Sequence, residues 1–188
     1  MMNYTLPTEI QIEGLSYPIN KNGDYRMILD VISVLNDDSL ADNEKAVCAL
    51  AIFYNFNVPD DAQEAVNEMM RFINCGELEE KSSQARQPIM NWEQDFNVLV
   101  APINKALGIE IRSVPYLHWW TFISGYMEIG ECQFSTIVTI RQKRQKGKKL
   151  EKWEQEFYNE NRKKVDLKPR FDDEEQKFLN SILGTDKN

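Results

Sequence analysis

Pro115-Tyr-Leu-His-Trp-Trp-Thr-Phe-Ile-Ser-Gly-Tyr126 is the stretch on which the reading of this chain turns. Trp119, Phe122, Ile123 and Tyr126 recur at helical spacing, Trp120 and Met127 widen the apolar face, and Val114-Pro115 and Gly130 stand as its opening and closing signals. An aromatic load of this size demands burial, in this chain or against a partner. Aromatics at helical spacing usually form core. Trp119 and Trp120, however, are adjacent and point about 100° apart, which sets one of them toward the rim of a groove.

Downstream, Phe134, Ile137, Val138 and Arg141 share the face of another helix, which runs into Arg141-Gln-Lys-Arg-Gln-Lys-Gly-Lys-Lys-Leu150 and frays at Gly147. Leu150, Trp153 and Phe157 align on a highly charged surface helix over 150–161. Asp172 to Gly184 reads as a short amphipathic helix with acids at its start and Phe178, Leu179, Ile182 and Leu183 on one side.

Upstream, Tyr25, Ile28, Leu29, Ile32 and Leu35 form one stripe behind an Asp24 N-cap, ending at Asn36-Asp37-Asp38. A second helix, apolar on more than one side and therefore central, carries Ala46, Val47, Leu50, Ala51 and Phe53-Tyr54. Pro59-Asp60-Asp61 starts a third that ends at Gly76. Trp92 to Leu107 is a further helix with Pro102 positioned to kink or interrupt it. At the N-terminus Glu9–Glu13 and Leu15–Ile19 alternate around Gly14, as a short hairpin does, with Pro18 on an edge. The fold class is mainly α: a compact helical domain of about six to eight helices with a short N-terminal β-hairpin.

The formal charge of −8 hides a division. Residues 1–140 carry 8 basic and 20 acidic side chains, whereas 141–170 carry 12 and 5. The chain thus divides into an acidic helical body with its hairpin, 1–140, and a basic segment with C-terminal amphipathic helices, 141–188, packed on the same body. The polar stretch 77–88 marks a linker or mobile loop. No apolar run approaches the ~20 residues of a bilayer span and no basic-then-apolar leader opens the chain, so a cytosolic, unprocessed protein is expected. Cys48, Cys75 and Cys132 lack metal-ligand or disulfide-framework spacing and are expected as buried or half-buried free thiols.

Catalytic chemistry finds little support. The chain has no phosphate-binding glycine loop, dinucleotide fingerprint, nucleophile elbow or zinc-protease helix, and His118 is its one imidazole. The expectation is no enzyme, no cofactor and no metal, with His118 half-buried beside Trp119 and donating to a backbone carbonyl. Asp37-Asp38, Asp60-Asp61 and Glu79-Glu80 sit where acids favour helix starts or a solvated loop. The run from Arg141 to Lys152 sets seven basic residues against one acid, enough to contact several phosphates. Nucleic-acid binding is nevertheless disfavoured, because the body is acidic, no reader module is evident and no aromatics interleave the run. An acidic protein surface suits it better.

Leu6-Pro-Thr, Ile12-Glu-Gly, Tyr17-Pro-Ile-Asn20 and Asp24-Tyr-Arg are followed by His118-Trp-Trp-Thr-Phe, Ile137, Ile140-Arg141, Lys146-Gly-Lys-Lys-Leu150, Glu156-Phe-Tyr, Asn161-Arg-Lys and Val165-Asp-Leu167. This series resembles a family of small tail-module proteins of tailed bacteriophages infecting Gram-positive bacteria, encoded beside the tape-measure gene and regarded as tail-assembly chaperones. The resemblance spans nearly the whole chain, with 55–110 matched in helical character more than in residues. It implies a helper in the host cytoplasm, free or prophage-encoded, that binds the tape-measure protein and helps recruit tail-tube protein, with self-association open. It supplies no catalytic residues. The partner-binding residues expected are His118, Trp119 and Trp120 for tape-measure helices, and Arg141, Lys143, Arg144, Lys146, Lys148 and Lys149 for a further tail component. The rival roles are a structural tail or connector subunit of the virion and a regulatory or nucleic-acid-binding phage protein.

Overall fold

A computed structural model describes residues 5–77 and 88–167. The expected linker over 77–88 and the helix over 172–184 lie, apart from Glu77 and Pro88, outside the described residues. The chain opens with β1 (Glu9–Ile12) and β2 (Leu15–Pro18), antiparallel with Glu9 opposite Pro18 and Ile12 opposite Leu15. Glu13 and Gly14 both adopt positive φ, the geometry of a tight two-residue hairpin turn. Alternation then turns Ile10 and Ile12 inward, and β1 rests against α3, which supplies the support that an isolated pair of strands lacks.

A short 3-10 turn, Asn20–Gly23, leads into α1 (Tyr25–Leu35). The Asp24 carboxylate accepts from the Arg26 amide as N-cap and also from the Leu117 amide, while the Tyr25 amide donates to the Leu117 carbonyl. One aspartate therefore starts the helix and ties its start to a segment over ninety residues away. Gly23, at φ +74°, is required here: a Cβ would sit 2.7 Å from the Phe72 ring and 3.3 Å from His118 Nε2.

Next come α2 (Asp42–Phe53), α3 (Ala62–Ile73), α4 (Trp92–Leu107) and α5 (Trp119–Met127). The Glu44 carboxylate returns to the Ala41 amide, Asp61 caps α3 through the Glu64 amide, and Asn91 caps α4 through the Gln94 amide. α1 lies along α2, α4 and α5, and α5 packs on α4 so closely that a Cβ on Gly125 would meet Leu107 at 2.7 Å. α4 continues through Pro102 and ends with Gly108 in the left-handed conformation.

Several expectations need correcting. α5 starts at Trp119, not at Pro115, because Leu117 is held extended by Asp24 and Tyr25 and cannot join a helix. Met127 is 75% exposed and does not extend the aromatic face. α2 is apolar on two sides but buries one: Ala49, Leu50 and Phe53 are interior, whereas Val47 and the Cys48 thiol face outward. Cys75 and Cys132 are half-buried as expected.

The chain closes with α6 (Gln133–Gln145), α7 (Lys152–Glu160) and α8 (Arg162–Val165). The 140/141 division between acidic body and basic segment falls inside α6. Phe134, in the first turn of α6, joins the main core, and Ile137 and Ile140 further along it form a small separate cluster with Tyr158 of α7 and Val165 of α8. On α7 the inward residues are Glu154 and Tyr158; Trp153 is 56% exposed, so it does not align with Leu150 and Phe157, which pack on that cluster.

Candidate functional site

Among the described residues, no group of three or more His, Cys, Asp or Glu side chains could hold a metal ion, and no buried side-chain nitrogen or oxygen lacks a hydrogen-bond partner. The polar interior is committed to the fold. Three surfaces or clusters then compete for a functional reading: the aromatic motif of α5, the basic segment, and a groove beside α1.

The aromatic motif is mostly structural. Like any helix, α3 leaves its last carbonyls without partners inside the helix. The Trp119 indole N–H donates to Ile73 O at 2.8 Å and that of Trp120 to Phe72 O at 2.9 Å, so the adjacent pair closes the end of α3. Trp119 is 2% exposed, stacked on Phe122 and edge-on to Trp92; Trp120 is half-buried against Phe72.

His118 is the N-cap of α5. Its Nδ1 accepts from the Trp120 amide at 3.0 Å, which fixes the proton on Nε2, and Nε2–H donates to Pro7 O at 3.0 Å. Burial pulls its pKa below the usual imidazole range, only partly countered by the Pro7 carbonyl. Its ring contacts are Phe72 and Trp120 rather than Trp119. His118 and Trp119 were expected to meet a partner; both are interior, because their polar atoms complete helix ends. Only Trp120 retains accessible surface.

The basic segment divides in the same way. Arg141, also expected at a partner surface, is 5% exposed. Its guanidinium forms a bidentate pair with Asp95 at 2.6 and 2.9 Å and donates to the carbonyls of Ile89, Lys164 and Val165. Lys143 meets both oxygens of the buried Glu154 at 2.6 and 2.7 Å, and that bond holds the Glu154 carboxyl below the usual range. Arg144 pairs with Asp166 and lies over the Tyr158 ring. Burial works to raise the Asp166 pKa, but hydrogen bonds from Arg144 and Tyr158 outweigh it and keep it low. Lys146, Lys148 and Lys149 are exposed and make no ion pair among the described residues.

The third surface was not visible in the sequence. α1 and the first turns of α4 flank a groove of about 540 Å³ whose floor and walls include Leu29, Ile32, Trp92 and Phe96, all half-buried. Arg26, Asp30, Glu93 and Arg112 ring it with both signs of charge. The two arginines are already engaged, Arg26 with Asp24 and Arg112 with Glu110, whose carboxyl the Arg112 contacts hold at about 2. An apolar trough with a polar rim suits the apolar face of a helix better than a charged ligand. Leu29 and Ile32 belong to the stripe of α1, so only the path of α4 decides which part of that stripe is covered.

No helix among the described residues is long and apolar enough to cross a membrane. Neither the curated proteins nor the solved structures include a match to this chain. A scan of protein-family models, by contrast, matches residues 2–167 to one family, described as Bacteriophage Gp15 protein. That match takes in the hairpin, all eight helices described above and the Arg141 cluster, and the chain belongs to the Bacteriophage Gp15 protein family.

Proposed function

We propose that this phage protein is a non-catalytic tail-assembly chaperone that takes an apolar helix of the tape-measure protein into the groove between α1 and α4. The observation that carries this reading is the exposure of Leu29, Ile32, Trp92 and Phe96 to one continuous trough with a charged rim. A long helical tape measure has apolar faces that need cover until tube subunits surround it, and helix-in-groove binding is the matching mode. Lys146, Lys148 and Lys149, left outside the internal ion pairs, are proposed to meet an acidic surface of the tail-tube protein. The work is done in the host cytoplasm, before the tail is complete.

Coexpression of the tape measure with wild type, Phe96→Asp and Trp120→Ala chains tests the assignment. Wild type and Trp120→Ala are expected to keep the tape measure soluble and to co-purify with it, and Phe96→Asp to lose at least tenfold of the captured protein while keeping its helical circular dichroism. Equal capture by Phe96→Asp removes the groove assignment. Abundant copies in purified virions favour a structural tail or connector role instead.

A further inference from the structure

The charged residues around the groove are not equivalent. Arg26 is committed to the fold: its guanidinium pairs with Asp24 and donates to the carbonyls of Ile111 and Val114 at 3.1 and 2.7 Å. Arg112 donates to both carboxylate oxygens of Glu110, at 2.8 and 3.0 Å. Each arginine thus brings its own counter-charge. Asp30 and Glu93 bring none: both are exposed and make no ion pair among the described residues. The margin of the groove is therefore acidic.

The two free acids also stand in the right places. Asp30 follows Leu29 on the α1 wall and Glu93 follows Trp92 on the α4 wall, so each side of the apolar trough has one carboxylate at its margin. A helix laid between the walls with its apolar stripe inward turns the positions flanking that stripe toward these acids. Lysine or arginine at those positions lays its methylene stem along the edge of the trough and its charge against a carboxylate. Aspartate or glutamate meets like charge on both sides. The body adds to the preference, since residues 1–140 carry 20 acidic against 8 basic side chains. Length is set by α1, which lines the trough from Tyr25 to Asn36, about 16 Å or three helical turns.

We propose that the helix taken into the α1/α4 groove is a basic amphipathic one, about three turns long, with Lys or Arg on both flanks of its apolar stripe to meet Asp30 and Glu93. This rests on the groove assignment made above and names the chemistry of its occupant. The trough supplies affinity through apolar burial, and the margin supplies the choice among apolar helices.

Two synthetic helical peptides test the proposal on the full-length chain without the tape measure. They share one stripe of Leu, Ile and Phe at helical spacing and differ only at the flanking positions, all Lys in one and all Glu in the other. In fluorescence anisotropy the Lys peptide is expected to bind wild type at least tenfold more tightly at low salt, with the difference shrinking at high salt. Asp30→Lys/Glu93→Lys should reverse the order, and the milder Asp30→Asn/Glu93→Gln should abolish the preference. Asp60→Lys/Glu128→Lys, an equal change of charge outside the groove, should leave the order as in wild type. Equal binding of the two peptides by wild type, binding of neither, or a reversal produced as well by Asp60→Lys/Glu128→Lys overturns the proposal. Tape-measure capture separates it from the chaperone reading. Capture that Phe96→Asp abolishes and Asp30→Lys/Glu93→Lys leaves unchanged keeps the groove assignment and removes the charge preference. A tenfold preference for the Lys peptide with no tape-measure capture by any chain removes the chaperone reading and leaves the basic-helix site standing.

Discussion

Between β1 and α5 the interior is built of rings and branched aliphatics: Tyr25, Phe122 and Trp119 stack, Trp92 meets Trp119 edge-on and Phe122 at a tilt, and Phe53 meets Tyr54 and Phe72 edge to face. Between α6 and α8 the buried apolar cluster is, among the described residues, only Ile137, Ile140, Tyr158 and Val165, and Arg141, Lys143 and Arg144 bind Asp95, Glu154 and Asp166 around it. The first region is held by apolar area and tolerates no loss of volume; the second is held by hydrogen-bond geometry and tolerates no loss of a partner. A sequence segment rich in charge can thus be interior architecture.

Phe122→Ala probes the first region at its centre, where the ring meets Tyr25 at 4.5 Å and Trp119 at 5.6 Å. It is expected to cost about 3 to 5 kcal/mol in urea unfolding, and a second truncation nearby should not restore it. Arg141→Ala is expected to cost about as much, ~3 to 5 kcal/mol, by leaving the Asp95 carboxylate, 1% exposed, with the Asn91 amide but no guanidinium partner. Here the comparison sharpens, because Arg141→Met combined with Asp95→Leu should recover much of the loss. A double variant no better than Arg141→Ala would mean that the carbonyl contacts of Arg141 matter more than the pair.

A smaller effect, about 1 to 3 kcal/mol, is expected from Lys143→Met, which strands a Glu154 carboxylate that is 1% exposed. His118 supplies a pH signature for the first region. Its folded pKa is lowered, so the unfolded chain takes up the proton first; stability should fall as pH drops below about 6.5, the unfolded value. As the chain has one histidine, His118→Asn, which can still cap α5, should remove that slope between about pH 6.5 and 5 in thermal melts. The smallest effect belongs to Lys146→Gln/Lys148→Gln/Lys149→Gln, expected within roughly 0.5 kcal/mol of wild type because these residues contact no described acid.

The division also explains what could be read from the sequence. The hairpin and α1 were legible because their signals are local: an alternation around Gly14, and a stripe behind an aspartate cap. The start of α5 was not, since Pro115 is a good helix opener and only the distant Asp24 holds Leu117 out of the helix. Trp119 and Trp120 were recognisable as important, but their indole partners lie 46 and 48 residues earlier, a pairing that no spacing rule carries. In the same way, Arg141 looks like surface in the run Arg141 to Lys149 until α4 brings Asp95 beside it. The groove was least legible, being made by the angle between two helices whose own patterns are ordinary.

The Arg141 node has a consequence in time. During synthesis, the rings of the first region can assemble once α5 has emerged, but Asp95 has no cation until residue 141 follows, and that cation is not fully seated until the carbonyls of Lys164 and Val165 arrive. Domains fold from the N-terminus as the ribosome releases them. Asp95 must therefore stay hydrated while the next 46 residues are made, and a chain interrupted before residue 164 would carry a finished aromatic core next to an unsealed, charged seam.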